Sequence, residues 1–451
     1  MSIFKLKENG TNIKTEVLAG ITTFLTMIYI VPVNSHIVSN TGMPLEALIT
    51  ATALITIIAS ALNGLFANTP VAMSVGMGMN AYFTFSVCIA QQIPWQSALG
   101  AVFLSGLIFL ILSFTNFRLW IIRNIPKDLR LAICAGIGCF IAFLGLQKMG
   151  IIVKNDATLV GVGNFKDPNV LFGIFSLILV VFFWALKLRA AFILGVLLSS
   201  LALWSVAFYL MQNYGVKLNI EGAIFPNEIF SLPNFSRENG LGAIAFELDI
   251  KSALSVAMIP VILTFFITQL FDSIGTITGV GARGKIFDKP VEGEKKLGKT
   301  LMADAASSVV GAGVGTSTVT AFVESTTGVE SGGRTGLVAI VVACCFALTL
   351  FLLPLFKAIP PNAIYPVLVM VGILMFMEVK NIDFSDSAIA VGTFFTIIMM
   401  PLTYSITSGF AFGFISFLLV RIFKREWNKI NVGIVVLSLI SLGNFLLIAL
   451  N

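Results

Sequence analysis

Four carboxylates stand inside stretches of the 451-residue chain that are otherwise apolar: Asp272, Asp304, Glu324 and Glu330. An ionised acid buried in hydrocarbon is costly unless it takes up a proton or meets a partner, so each is a candidate for binding or proton exchange. Asp272 lies in Phe271-Asp272-Ser273-Ile274-Gly275-Thr276 with no basic residue nearby in sequence. Thr276, four residues on, shares its helix face, and Gln269 precedes it by one turn. Asp304 stands near a polar segment end, where pairing with Lys299 or capping a neighbouring helix is the competing use. Glu330 precedes Ser331-Gly332-Gly333-Arg334, and solvent or Arg334 would satisfy it there. His36, the one histidine, reads as a satisfied interfacial side chain rather than a ligand.

Two segments that must hold these groups are broken. One runs Thr69-Pro70-Val71-Ala72-Met73-Ser74-Val75-Gly76-Met77-Gly78-Met79-Asn80-Ala81-Tyr82, the other Gly315-Thr316-Ser317-Thr318-Val319-Thr320-Ala321-Phe322-Val323-Glu324. Each opens rich in Val, Ser, Thr or Gly and then turns helix-compatible; Thr316 to Val323 has the β-branched content of a short strand. Asn80 and Glu324 are expected where the helical halves begin, as N-terminal groups. Non-helical backbone at membrane depth must be buried in protein or line a cavity, so the pair points to a binding site.

The surrounding chain is 57% hydrophobic and 11% charged, with mean hydropathy +0.98, against roughly a quarter charged residues in a soluble domain. Lipid must cover much of its surface. Apolar segments run at 17–38, 46–66, 70–89, 97–115, 129–147, 170–186 and 190–211, and again at 253–280, 298–314, 316–331, 335–356, 362–378, 386–403 and 405–423. The polar interval 212–252 separates two sets of seven, and an odd count forces the second set to insert inverted. A further apolar stretch, 431–450, either spans or lies against the bundle. Basic clusters at the N-terminus, Arg118–Arg130, Lys187–Arg189, Arg283–Lys299 and Arg421–Lys429 place residues 1–16 and the 283–299 loop in the cytoplasm and 212–252 outside. The expectation is a multi-pass protein of the inner (plasma) membrane, its first helix retained rather than cleaved.

Cys88, Cys134, Cys139, Cys344 and Cys345 fall in apolar segments without histidine neighbours and read as small buried hydrophobes. Neither a metal set, a nucleophile–base pair nor a phosphate loop is legible, so no cofactor is expected and an enzyme is disfavoured. The net charge of +6 sits in short loops, which suits orientation in a membrane rather than nucleic-acid binding.

Gly76-Met77-Gly78-Met79-Asn80-Ala81-Tyr82-Phe83, Phe271 to Thr276, and Glu324-Ser325-Thr326-Thr327-Gly328 followed by Gly332-Gly333-Arg334-Thr335-Gly336-Leu337 resemble the AzgA-like purine permeases, a branch of the nucleobase/cation symporter-2 (nucleobase–ascorbate transporter) family. The resemblance runs from about residue 10 to about 425. It implies an all-α fold of seven plus seven inverted segments, with short strands in segments three and ten. By that resemblance segments 1–4 (17–115) and 8–11 (253–356) form a core, and segments 5–7 (129–211) and 12–14 (362–423) a gate. It further implies that Asp272 and Glu324 bind the base and that Asn80 contributes to recognition or to the site's architecture. Thr276 and Gln269, beside Asp272 on its helix, are further candidates for substrate binding, and burial makes Asp272 or Glu324 the candidate carrier of a coupled proton. The Gln-or-Glu-Asn-x-Gly signature of the uracil/xanthine branch is missing after Val323. Many AzgA-like members would have an acid at Gln269 and a small residue at Glu330.

The implied partners are a purine base, a proton and the lipid bilayer, with a homodimer left open. Guanine and hypoxanthine are favoured, because guanine's N1–H and amino group can meet one carboxylate bidentately; adenine is the alternative. A carrier for sulfate or bicarbonate on the same fold is the competing class, and it would need a cation where this chain offers acids.

Overall fold

The computed structural model describes residues 2–115, 126–215, 217–226, 228–288 and 290–450. Arg118 and Arg123, from the second basic cluster, and Lys289 lie outside them. Ten helices among the described residues are long and apolar enough to cross a membrane, and the protein is a multi-pass membrane protein. The fourteen expected segments all appear, the shorter ones as broken or less apolar helices.

Segment one begins at Asn12, whose side chain accepts the Thr15 N–H at 3.0 Å, and runs as Ile13–Met27 and Ile30–Ser39. The break follows from Pro32, which has no N–H for the Ile28 carbonyl; Val31 donates to that carbonyl instead at 3.3 Å. Segment three forms strand β1, Met73–Val75, then a helix Met77–Ala81 that passes into a π-helical stretch, Tyr82–Ala90. A hairpin outside the spans, β2 (Ile152–Asn155) with β3 (Leu159–Val162), has no counterpart in the expected elements. Segment ten forms β4, Val319–Ala321, and the helix Ser325–Glu330.

β1 and β4 pair antiparallel, Met73 opposite Ala321, Ser74 opposite Thr320 and Val75 opposite Val319. Strands this short leave outer edges that must be satisfied without water. One serine serves each edge. Ser60 of the Leu45–Phe66 helix donates to the Met73 carbonyl and accepts the Met73 N–H, both at 3.0 Å. Ser308 of the Pro290–Val314 helix does the same for Val319, at 2.7 and 3.0 Å. Segments two and nine therefore play one role in the two halves.

Helix packing obeys the same relation throughout. If segment n of the first half corresponds to segment n+7, the contact of segment two with eleven should recur as nine with four, and it does. One with eleven recurs as eight with four, five with thirteen as twelve with six, and thirteen with fourteen as six with seven. Segments five and twelve, like β1 and β4, meet their own counterparts; a Cβ on Gly138 or Gly372 would overlap the other residue's carbonyl. Segments one to four and eight to eleven pack mainly with one another, as do the remaining six. The helix Val432–Leu450 lies on the Ile406–Phe423 helix, where Ser438 donates to the Phe414 carbonyl at 3.1 Å.

Several expectations need correction. The strand spans Val319–Ala321 rather than Thr316 to Val323, and segment nine starts at Pro290, two turns before the expected 298. Proline at a helix start costs no hydrogen bond, which lets those turns run past the apolar stretch. Asn80 does not open its helix; Gly76 holds the cap position and Asn80 is the fourth residue. None of the five cysteines is fully buried, and Cys344 is exposed, which suits a weakly polar thiol on a helix facing lipid.

Candidate functional site

Three carboxylates and two amides gather around the strand pair. Glu324 stands at the N-cap position of the Ser325–Glu330 helix but makes no capping bond; it accepts the Tyr29 hydroxyl at 2.5 Å. Tyr29 lies at the break in segment one and rests edge-on against Phe192 of segment seven, ring centroids 5.2 Å apart. Asp272, half-buried on the Ile259–Gly284 helix, interacts with the Thr320 hydroxyl and faces Cys134 of the Lys127–Lys148 helix. Thr276 is half-buried one turn further along the same face. Asn80 is fully buried, with Oδ1 accepting the Ser317 hydroxyl and Nδ2 unpartnered among the described residues.

Asp304, the third of the candidate acids, belongs to this cluster. It is fully buried behind β4, its Oδ2 accepting from Ser273 at 2.6 Å and from Gln269 Nε2 at 3.5 Å. Lys299, the expected partner, sits instead 5.2 Å over the Phe66 ring. Gln269 is turned the same way, its amide donating to Ser308 and, at 3.1 Å, to the Val319 carbonyl. These contacts lie at the outer edge of β4, and its Oε1 is buried without a partner among the described residues.

Two other acids have structural roles. Glu330 pairs with Arg283, not with Arg334, whose guanidinium donates to the Val329 and Gly333 carbonyls. Glu16, fully buried and unremarked in the sequence, accepts from the Arg334 N–H at 2.7 Å and the Thr335 hydroxyl at 2.7 Å. It fixes the turn whose Gly332 has φ +101, a conformation that favours glycine. His36 is buried, with Nδ1 2.9 Å from the Pro32 carbonyl, a satisfied side chain.

The two ends of the site differ. Toward the 215–252 end the helix groups are joined: Lys148 donates to Asn40 at 2.8 Å, Ser86 to the Tyr404 carbonyl at 2.8 Å, and Thr264 meets Thr407 at 2.7 Å. Toward the other end nothing lies within 4 Å of the Cβ positions of Gly275 and Gly279, and Val323, next to Glu324, is 54% exposed. The acids are thus uncovered on one side at this end. A cavity of about 1070 Å³ lies toward the closed end around Lys148, Trp204 and Tyr365 and does not include them.

Inverted halves, crossed strands and polar groups at their meeting point define a membrane carrier of the seven-plus-seven class. The transmembrane domain of a cyanobacterium bicarbonate transporter, BicA, has this fold: it superposes with TM-score 0.60 at 14% identity, over 88% of this chain and 97% of that one. Residues 14–439 match a permease family, and the chain belongs to it, the nucleobase/ascorbate transporter family. It is 39% identical to the guanine/hypoxanthine permease PbuG of Bacillus subtilis (strain 168), over 95% of this chain and 96% of that protein. It is 37% identical to the adenine permease AdeQ of Escherichia coli (strain K12), over 97% and 94%.

Proposed function

We propose that this permease is a proton-coupled secondary transporter that imports purine bases, guanine and hypoxanthine in preference to adenine. The observation that carries it is the gathering of Asp272 and Glu324 at the strand pair, both half-buried beside uncovered backbone at Gly275 and Gly279. Among the described residues no Lys or Arg bonds to either acid or to Asp304. A neutral base offering N–H donors is matched to carboxylates, whereas bicarbonate or sulfate would meet like charge. Asp272 and Glu324 bind the base, with Thr276 beside Asp272, and Asn80 holds the crossing in shape; Gln269 serves at the outer edge of β4. Asp272 or Glu324 takes up the coupled proton. In the cell the N-terminus and the open end face the cytoplasm, in the inner (plasma) membrane, and 212–252 lies outside.

Competition against radiolabelled hypoxanthine uptake tests the substrate class. Unlabelled guanine should compete strongly, adenine less, and xanthine and uracil hardly at all. Competition by uracil or xanthine equal to that of guanine would remove the purine-permease reading.

We infer an elevator-like motion in which the core of segments 1–4 and 8–11 slides against the gate of segments 5–7 and 12–14. The closed contacts at one end and the free cleft at the other support one inward-open position of such a cycle. Gly78 of segment three lies against Ile137 of segment five, across the two groups. With the five native cysteines replaced, Gly78→Cys paired with Ile137→Cys should block uptake when cross-linked and recover on reduction. Full uptake through a confirmed cross-link would exclude sliding there.

A further inference from the structure

Asp304 is fully buried; its Oδ1 makes no hydrogen bond within 3.5 Å among the described residues, and the Ala321 N–H is the backbone group nearest the carboxylate. An ionised carboxylate so placed, with no cation bonded to it, is costly; a carboxylic acid is not. Hydroxyls lead from it toward Asp272. Ser273 Oγ is 2.6 Å from Asp304 Oδ2 and 3.2 Å from Thr320 Oγ1, and the Thr320 hydroxyl stands beside Asp272, close enough for a small side-chain rotation to complete the path. Ser273 and Asp272 are neighbours on one helix, while Thr320 is the central residue of β4.

We propose that Asp304 is the resting place of the coupled proton, loaded and emptied from Asp272 through the hydroxyls of Thr320 and Ser273. This rests on the proton-coupled reading above and adds a residue to it. The transfer balances. The Asp272 carboxyl gives its proton to the Thr320 oxygen, Thr320 passes its own proton to Ser273, and Ser273 passes its own to Asp304 Oδ2. Each hydroxyl ends neutral, Asp272 ends ionised and Asp304 ends as the acid; release runs in reverse. The ionised Asp272 is then free to accept the N–H donors of a base, so loading the proton behind the strand and binding the base in front become parts of one event. The other titratable groups facing this path are Glu324, bonded to Tyr29, and Cys134 opposite Asp272.

The test uses proteoliposomes and two readouts: hypoxanthine counterflow without a gradient, and accumulation driven by an inward proton gradient. Ser273→Ala should keep counterflow within about threefold of wild type while gradient-driven accumulation slows by about tenfold or more. Ser273→Thr, which retains a hydroxyl, should restore accumulation. Asp304→Asn should keep counterflow and lose the response to the gradient. Wild-type accumulation in Ser273→Ala or Asp304→Asn overturns the relay and leaves the purine-permease reading standing. Loss in Ser273→Thr as deep as in Ser273→Ala also overturns it, since the hydroxyl would not be what matters. If the wild-type protein carries no purine base at all, the functional reading fails and the relay with it.

Discussion

Glu324→Gln will abolish hypoxanthine uptake, by about 100-fold or more, in a protein that still folds and reaches the membrane. The amide keeps the size of the side chain and can still accept the Tyr29 hydroxyl, which now bonds Glu324 at 2.5 Å. What it loses is the charge that strengthens bonds to the N–H donors of a base. Each charge-assisted bond contributes about 1.5–3 kcal/mol, so losing a bidentate pair is enough for the expected fall. Uptake of radiolabelled hypoxanthine, normalised to the amount of protein in the membrane, measures it. A near wild-type rate at normal abundance would take Glu324 out of the site.

Asp272→Asn separates binding from coupling. Asn can still meet the Thr320 hydroxyl and present an acceptor to the cleft, but it cannot take up and give back a proton. Accumulation against a concentration gradient should vanish, while weak exchange of base across the membrane persists. The measurement is uptake into proteoliposomes with and without an inward proton gradient. If the variant still concentrates base in response to the gradient, Asp272 is not on the proton path. Glu324 would then be the leading candidate, and the hydroxyl relay, which starts at Asp272, would fall too.

The framework of this site is legible in the sequence for definite reasons. Thr69-Pro70 and Gly315-Thr316 interrupt apolar segments at matching places, and β1 and β4 follow each interruption. Asp272 and Glu324 are conspicuous because an acid has no ordinary use at that depth. Tyr29 is not conspicuous, since an aromatic ring in an apolar segment is unremarkable; only Pro32, which breaks the helix beside it, marks the place. For Asp304, closeness in sequence offers Lys299 or a helix cap as a competing use. The helix from Pro290 carries it past the polar end to the depth of Ser273. Glu330 was matched to Arg334 by the same closeness, yet Arg334 gives its guanidinium to backbone carbonyls, and Arg283 arrives from another helix. Ser60 and Ser308 look like small residues of close-packed helices until the strand edges they satisfy are seen.

The same contrast separates fold from chemistry. BicA shares this chain's architecture at 14% identity and is a bicarbonate transporter, so the fold does not choose the cargo. On the function proposed above, carboxylates at the strand crossing do, because they repel an anion and bond an N–H edge.

Concentration of a purine base by a proton gradient is therefore the decisive measurement. Purified wild-type protein in liposomes, acidic outside and neutral inside, should accumulate radiolabelled hypoxanthine above the external concentration. The accumulation should collapse when a protonophore dissipates the gradient, and unlabelled guanine should prevent it. Equal hypoxanthine levels with and without the gradient would contradict proton coupling. Gradient-driven uptake that guanine leaves untouched while bicarbonate or sulfate suppresses it would contradict the purine site itself.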